Sequence, residues 1–223
     1  MLPVDVVRVF TDLDGRFGNP LGIVAGHLVP PAGRQALAAH LGYSETVFID
    51  DFPTGTIRIY TATGEMPFAG HPTVGAAWWL RSQGHSVPSL HTPAGEIPVT
   101  FDGGLVSVRA DTTWGSTWTW TELPTPTDVL AADPATHSAG HTYLWSWLSE
   151  PEGTIRSRAF APAMGVPEDE ATGSAATQLT ALLSRNLHII QGHGSHLHTT
   201  HLPPTHATVG GQVHPAERRT VTL

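Results

Sequence analysis

Cysteine is absent from the 223 residues of this sequence. The absence excludes a disulfide framework, a thiolate nucleophile, a cysteine-ligated zinc site and a cysteine acid/base pair. Proton-transfer chemistry must therefore rely on the 19 aspartate and glutamate residues or on the 14 histidines.

Basic residues are scarce as well. The chain has 11 lysine and arginine residues against 19 acidic ones, which gives a formal net charge of -8. No Lys/Arg cluster supplies a surface that could follow a phosphate backbone. We therefore expect no nucleic-acid partner.

Long apolar runs are also lacking. No run approaches the roughly 20 residues that span a bilayer, and the N-terminus does not show a basic stretch followed by an apolar one. We expect no membrane partner and a cytoplasmic location. No Pro/Ser/Gly-rich linker is long enough to separate independent units, so one domain or two tightly packed halves is expected.

The segment that organises the chain runs from residue 56 to residue 80. The β-branched and aromatic run Thr56 to Thr61 predicts a strand, and a Gly/Pro-rich turn then leads into an Ala/Trp/Leu segment with helical spacing. The peptide N–H groups after Gly70 and the imidazole of His71 would lie at a helix N-terminus, where a carboxylate is favoured. A His71 held only by backbone hydrogen bonds is the structural alternative.

Other elements of the first half follow from local patterns. Glu45 stands at the entrance of a predicted strand that runs from Thr46, a position that by itself fits a solvated surface carboxylate equally well. The remaining predictions are strands over Asp5 to Phe10 and Leu21 to Leu28, a helix over Ala32 to Leu41, and a hairpin over Pro98 to Ala110.

Tryptophans at period two, Trp114, Trp118 and Trp120, predict the packed face of a strand rather than a platform for stacking bases. The following residues 121–140 are loop-like in composition. They divide the chain into a predicted N-terminal half, residues 1–120, and a C-terminal half, residues 121–223.

The second half repeats the order of the first. Strands are predicted over His141 to Leu148 and Thr154 to Phe160, followed by an acidic Gly/Pro loop and an Ala/Leu-rich helix after Gly173 and Ser174. Packing the two halves face to face would direct two helix N-termini into one cleft. Ser174 lacks the second glycine of a nucleophile elbow, so it is expected to cap the helix or to offer its N–H group rather than to act as a hydrolase nucleophile.

Several motifs together resemble the phenazine-biosynthesis PhzF-like isomerase family. They are Asn19-Pro20, Ser44-Glu45-Thr46-Val47-Phe48, Glu65-Met66-Pro67-Phe68-Ala69-Gly70-His71-Pro72-Thr73, and Arg158-Ala159-Phe160-Ala161-Pro162 with the loop Glu168 to Ala175. The resemblance implies an α+β, diaminopimelate-epimerase-like fold with two pseudo-symmetric halves, each a β-sheet wrapped around a central helix. It also implies a homodimer and no cofactor. Diaminopimelate epimerases proper use two cysteines, which this chain lacks.

The resemblance also implies roles for individual residues. Glu45 would be the general acid/base of a cofactor-independent isomerase that shifts a proton and double bonds in a small carboxylated, conjugated metabolite of secondary metabolism. His71 and Asp169 would flank the substrate as further catalytic groups, and the substrate-binding residues would be Asn19, Gly70, Gly173 and Ser174. Two alternatives stay open: an epimerase or racemase that uses Glu45 and Asp169, and a non-catalytic ligand-binding protein.

Two features depart from the family pattern. Glu170 replaces the proline that usually follows the loop aspartate, and its repulsion with Glu168 and Asp169 is expected to raise the pKa of Asp169 or to loosen the loop. The second half is also shortened around residues 121–140. Separately, the histidines of the C-terminal segment have no clear helical period and no adjoining carboxylate, so no metal site is expected at His193, His196, His198 and His201.

Overall fold

A computed structural model describes residues 1–222 as an α+β structure with 15 strands and four α-helices. The helices are α1 (Pro31–Leu41), α2 (Gly70–Ser82), α3 (Pro126–Ala131) and α4 (Gly173–Leu183). The strands are β1 (Leu2–Thr11), β2 (Phe17–Ala25), β3 (Glu45–Asp51), β4 (Thr56–Tyr60), β5 (Glu65–Met66), β6 (Ser89–Thr92), β7 (Gly95–Asp102), β8 (Leu105–Asp111), β9 (Thr119–Glu122), β10 (Thr142–Ser149), β11 (Thr154–Ala161), β12 (Val166–Asp169), β13 (Leu187–Gln191), β14 (Ser195–Leu202) and β15 (His206–Val221).

The first sheet encloses α2. Strand β1 pairs antiparallel with β2, β2 pairs parallel with β3, and β3 pairs antiparallel with β4. Helix α2 packs on β1, β2, β3, β8 and β15, and almost all of its residues are buried, including Val74, Ala76 and Leu80. A helix that is apolar all round is stable only in such a buried position.

The second sheet encloses α4 in the same way. Its strand order is β8-β15-β14-β13-β11-β10-β9, and α4 packs on β14 and β15 through a face that includes Ala175, Ala176 and Leu179. The predicted arrangement of two sheets, each around a central helix, is therefore present.

Strand β15 belongs to both sheets. Its first part pairs with β8 and β14, and its last part pairs with β1, where Val213 lies opposite Val9 and Val221 opposite Leu2. The end of the described chain thus returns to the first sheet. The boundary between residues 120 and 121 stays a prediction, and Leu223, the last residue of the predicted second half, lies outside the described residues.

Most predicted elements are present, but three predictions were wrong in detail. The second strand begins at Phe17 and ends at Ala25, before a short 3-10 turn over Gly26–Leu28. Trp114 and Trp118 precede β9 rather than lying in it, because the chain turns at residues 112–115. Residues 121–140 contain α3, whose start is fixed by a capping box in which the Thr125 and Asp128 side chains bind each other's backbone N–H groups.

Within residues 1–222 no helix is long and apolar enough to cross a membrane.

Candidate active site

The N-termini of α2 and α4 meet at two glycines. A Cβ atom on Gly70 would lie 3.1 Å from the Cα of Gly173, and one on Gly173 would lie 3.1 Å from the Cα of Gly70. A side chain at either position would force the helices apart. Neither N-cap residue, Ala69 or Thr172, makes a side-chain cap hydrogen bond. Two positive helix-dipole ends with peptide N–H groups uncapped by side chains therefore converge at one point.

Glu45 lies beside this junction and is hydrogen-bonded to His71. Strand β3 begins at Glu45, which pairs with Leu21 of β2, and the carboxylate Oε2 is 3.0 Å from the Nδ1 of His71. His71 is only 3% exposed and its Nε2 is buried without a hydrogen-bond partner. That free ring nitrogen is available to a second group. The predicted pair of Glu45 and His71 is thus brought together.

The pKa of Glu45 is lowered in this setting. Burial alone raises it, but the hydrogen bond from His71, the charge of His71 and a hydrogen bond from Ser44 together outweigh burial. Glu45 is therefore ionised at neutral pH, as a general base must be before it accepts a proton.

Asp169 stands at the end of β12 with both carboxylate oxygens hydrogen-bonded. The side-chain amide of Asn19 donates to Oδ1 at 2.7 Å, and the hydroxyl of Thr172 donates to Oδ2 at 2.6 Å. Burial, followed by the negative charge of Glu45, raises the pKa of Asp169 to about 6, although both hydrogen bonds and the charge of His71 oppose the rise. Two neighbouring carboxyl groups with opposite pKa shifts are the usual basis for separate acid and base roles.

A small cavity of about 50 Å³ joins these groups. Its wall contains both carboxyl residues and Ser174, and the rest is largely apolar: Met66, Phe68, Ala69, Trp118, Ala161 and Val166. A wider depression of about 720 Å³ lies elsewhere and contains Arg34, Asp50, Arg58 and Glu65, which pair with one another. We place the site at the smaller cavity because Glu45 and Asp169, whose pKa values are shifted in opposite directions, lie there beside two helix N-termini.

The side chain of Asn19, a predicted substrate-binding residue, is buried and hydrogen-bonded to other groups of the protein. It is 5% exposed, its Nδ2 also donates to the carbonyl of Ala171 at 3.3 Å, and its Oδ1 accepts from the hydroxyl of Ser44 at 3.3 Å. These hydrogen bonds join β2 of the first sheet to the loop that carries Asp169. Contact between Asn19 and a substrate stays a prediction.

Ser174 lies on the cavity wall, but the expectation that it caps α4 was wrong. The helix begins at Gly173, so the N-cap position belongs to Thr172, and the Thr172 hydroxyl is engaged by Asp169. Ser174 occupies the second helical position, where its backbone N–H group is one of those left free at a helix start.

The expected repulsion among three neighbouring carboxylates was also wrong. Glu168 forms a two-pronged pair with Arg158, with both contacts at 2.7 Å, and Glu170 points to the turn between β13 and β14. The pKa of Asp169 is raised by burial and by Glu45 instead. Successive side chains of an extended strand point to opposite faces, which separates Asp169 from the carboxylates of Glu168 and Glu170 on either side of it.

Trp118 and Thr172 are residues of the site that no local sequence pattern indicated. Trp118 is 7% exposed, lies on the cavity wall and has an indole N–H group without a hydrogen-bond partner. Its position within a tryptophan row indicated packing, which is correct, but not which cavity it would border. Thr172 follows Asp169 by three residues, and this spacing allows a side-chain hydrogen bond across a tight loop.

The histidines of the C-terminal segment form a stack rather than a ligand set. His188 lies 3.0 Å from His196, ring nitrogen to ring nitrogen, and its ring stacks on that of His198 at 4.5 Å. Burial lowers the pKa of all three. Over residues 1–222 no group of three or more His, Asp or Glu side chains is arranged to hold a metal ion.

Comparison with known proteins shows which family the chain matches. The family described as phenazine biosynthesis-like protein (PhzC-PhzF) matches residues 7–143 and 136–203. The chain is 30% identical over 210 residues to a trans-2,3-dihydro-3-hydroxyanthranilate isomerase of Pseudomonas fluorescens, covering 76% of this chain and 75% of the relative. It is 29% identical over 225 residues to the enzyme of that name from Pseudomonas aeruginosa, covering 83% of this chain and 76% of the relative.

Solved structures share the fold. A PhzF-family protein of Enterococcus faecalis superposes with a TM-score of 0.81 at 19% identity, covering 100% of this chain and 99% of the other. A probable proline racemase from Agrobacterium radiobacter superposes with a TM-score of 0.69 at 11% identity, covering 100% and 93% of the two chains. These likenesses confirm the predicted α+β, diaminopimelate-epimerase-like fold. The chain belongs to the phenazine biosynthesis-like protein family and is an isomerase of the PhzF type.

Proposed function

We propose that the protein is a cofactor-independent isomerase that moves a proton between two carbons of a small carboxylated, conjugated metabolite, with Glu45 as the general acid/base. One observation carries the proposal: the His71-bound carboxylate of Glu45 and the carboxyl of Asp169, with opposite pKa shifts, border one cavity at two helix N-termini. The chemistry needs a mobile proton and stabilised negative charge, and this arrangement supplies groups suited to both.

The proposed reaction begins with the ionised Glu45. Its carboxylate takes a proton from one substrate carbon, and the electron pair left behind spreads through the conjugated system. Glu45 then returns the proton at another carbon, so that the double bonds shift without oxidation or reduction. Substrate binding expels water, and this raises the proton affinity of the buried carboxylate toward the value that efficient transfer requires.

The helix ends would hold the substrate carboxylate. The residues that border the cavity include no lysine or arginine. The groups that can bind a carboxylate there are therefore the peptide N–H donors at the starts of the two helices, Gly70 and His71 in α2 and Gly173 and Ser174 in α4. Negative charge that develops on the substrate would be stabilised there without reorganisation. Phe68 and Trp118 provide flat apolar walls that suit a conjugated ring.

An epimerase or racemase is a second candidate, because Asp169 faces the same cavity as Glu45 and has a raised pKa. In that reaction one carboxyl group would take a proton from one face of a carbon and the other would return a proton to the opposite face. A ligand-binding protein without turnover is the third candidate.

The test uses trans-2,3-dihydro-3-hydroxyanthranilate, named for the curated relatives, as a probe in D₂O with NMR detection. Deuterium at a new carbon with shifted double bonds supports the isomerase. Exchange with inversion at one carbon supports the epimerase instead. Saturable binding with neither deuterium exchange nor a shift of the double bonds would reject catalysis on this probe and favour the binding protein. A role in secondary metabolism, a homodimeric state and a cytoplasmic location belong to the same proposal, and sedimentation analysis tests the dimer.

A further inference from the structure

Glu170, which follows Asp169 directly, caps the turn between β13 and β14. Its two carboxylate oxygens accept the backbone N–H of His193 at 3.1 and 3.0 Å, and Oε2 is also 2.7 Å from the Nδ1 of His193. A Cβ atom on Gly192 would overlap with Oε2, so the carboxylate occupies space that only a glycine in the turn leaves free. The Glu170 side chain is largely buried, with 19% of it exposed.

The same carboxylate is connected to the first sheet. The hydroxyl of Ser195 donates to Oε1 of Glu170 at 2.7 Å and accepts the backbone N–H of Gly18 at 3.0 Å. Gly18 precedes Asn19, whose amide binds Asp169. Gly18 of β2 thus contacts Glu170 through Ser195. The next residue of β2, Asn19, contacts Asp169 directly.

The loop of residues 169–172 is also held by the second sheet. The Gln191 side chain donates to the carbonyl of Asp169 and to the hydroxyl of Thr172, both at 2.9 Å. Residues 169–172 are therefore held by β2 on one side and by the β13–β14 hairpin on the other. Glu170 is the member of this loop whose side chain contacts the hairpin turn and, through Ser195, β2.

We propose that Glu170 is a positioning residue that fastens the loop 169–172 to the β13–β14 turn and, through Ser195, to β2, and so holds the Asp169 carboxyl partly buried beside Glu45. Its consequence for catalysis rests on the function proposed above, whereas its effect on the placement of Asp169 does not. The exposed imidazole of His193 adds little to this role because water screens it, since 83% of that side chain is exposed.

Three cations lie near Glu170. Arg156 on β11 interacts with it electrostatically, and Arg8 and Arg16 border the same shallow depression as Glu170 and His193. The groups that act on Asp169 itself are Glu45 and His71. Two causes could change the titration of Asp169 after a substitution at Glu170, and they act in the same direction. Loss of a nearby negative charge and release of Asp169 to water both lower its pKa, whereas Glu170→Gln removes the charge but keeps the length of the side chain and one acceptor oxygen.

The experiment compares Glu170→Ala, Glu170→Gln and Ser195→Ala with Glu152→Ala, which removes a charge from an exposed turn. Carbonyl-labelled NMR follows the titration of Asp169, and amide hydrogen exchange follows Gly18 and His193. We expect Glu170→Ala to lower the pKa of Asp169 by about 1 unit and to speed exchange at both amides at least about 10-fold. Ser195→Ala should share the change at Gly18, and Glu170→Gln should show a smaller shift than Glu170→Ala. Glu152→Ala should show neither effect.

An unchanged Asp169 titration in Glu170→Ala, with only a lower melting temperature, would overturn the proposal. An equal shift in Glu170→Gln and Glu170→Ala would overturn it too, because charge alone would then account for the result. These measurements need no turnover, so they stand if the wild type fails to isomerise the probe. If it does turn over, a kcat that falls about 10-fold in Glu170→Ala with less change in KM supports the positioning role. A shifted titration with normal kcat would support positioning while counting against Asp169 in the reaction.

Discussion

The Nδ1 of His71 lies 3.0 Å from Oε2 of Glu45, although the two residues are 26 positions apart in the sequence. His71 is the second residue of the central helix of the first sheet, and Glu45 begins a strand of the same sheet. The contact joins a helix N-terminus to a carboxylate that is ionised at neutral pH, and the first two predictions test each partner.

Replacing Glu45 by glutamine should reduce turnover of the probe by at least about 10²-fold, because the amide has no basic oxygen to accept a proton. The melting temperature should change little, since the amide keeps the shape and one hydrogen-bond acceptor. Glu65→Gln is the matched control, because Glu65 pairs with Arg58 at the surface. Steady-state kinetics on both variants measures the change in turnover. Undiminished activity in Glu45→Gln would remove Glu45 from its proposed role.

Replacing His71 by leucine should move the acid limb of the kcat/KM profile to higher pH. The hydrogen bond and charge of His71 lower the pKa of Glu45 against the effect of burial, so their loss leaves burial dominant and raises that pKa. His71→Asn offers a side-chain amide donor near the same position and should shift the limb less. A limb that stays in place in His71→Leu would show that Glu45 does not set it.

Asp169→Asn should change how stability depends on pH. The pKa of Asp169 is raised to about 6 from 3.8, so the folded state binds the proton more tightly than the unfolded state. The resulting stabilisation is fully present below the unfolded pKa and is lost as pH rises through about 6. The asparagine variant has no carboxyl group to titrate, so it does not lose this stabilisation. The free energy of unfolding of the variant minus that of the wild type should therefore rise by about 1 to 2 kcal/mol from pH 4 to pH 7.5.

Denaturant unfolding of both proteins across that range measures the difference. Identical pH dependence in the two proteins would mean that Asp169 titrates normally in the folded state. Asp128→Asn is unsuitable as a control because that carboxylate caps α3, so the control is Asp102→Asn, which changes an exposed carboxyl group at the end of β7.

Gly173→Ala should separate the two helix N-termini. The new Cβ would lie 3.1 Å from the Cα of Gly70 and 3.1 Å from the backbone nitrogen of His71, and these backbone atoms cannot move aside cheaply. We expect a loss of about 1 to 3 kcal/mol in stability and a rise in KM, since the N–H donors would no longer face one point. The control is Gly33→Ala in α1, where the Cβ would meet only Val29 at an ordinary 3.6 Å.

Gly33→Ala should be neutral or mildly stabilising, because alanine has the better helix propensity. Thermal melts and probe kinetics on the two variants make the comparison. Equal behaviour of Gly173→Ala and Gly33→Ala would contradict the close approach of α2 and α4.

The sequence by itself determined the elements and the chemistry available to them. Absence of cysteine confined proton transfer to carboxylates and histidine, and local patterns identified most strands and the starts of α2 and α4 at Gly70 and Gly173. These signals are local, because turn glycines, β-branched runs and helical spacing act over a few residues. The motifs around Glu45, His71 and Asp169 also sufficed to indicate the family.

Only the tertiary structure decided which of these residues meet and what their neighbours do to them. Three adjacent acidic residues look alike in sequence, but Glu168 faces Arg158, Glu170 faces the β13–β14 turn, and only Asp169 borders the cavity with Glu45. Trp118 reaches the cavity through a turn that period-two spacing did not reveal, and β15 joins both sheets through pairings far apart in the chain. Burial and long-range charge set the pKa of Asp169, and both depend on atoms brought together by packing rather than by sequence neighbours.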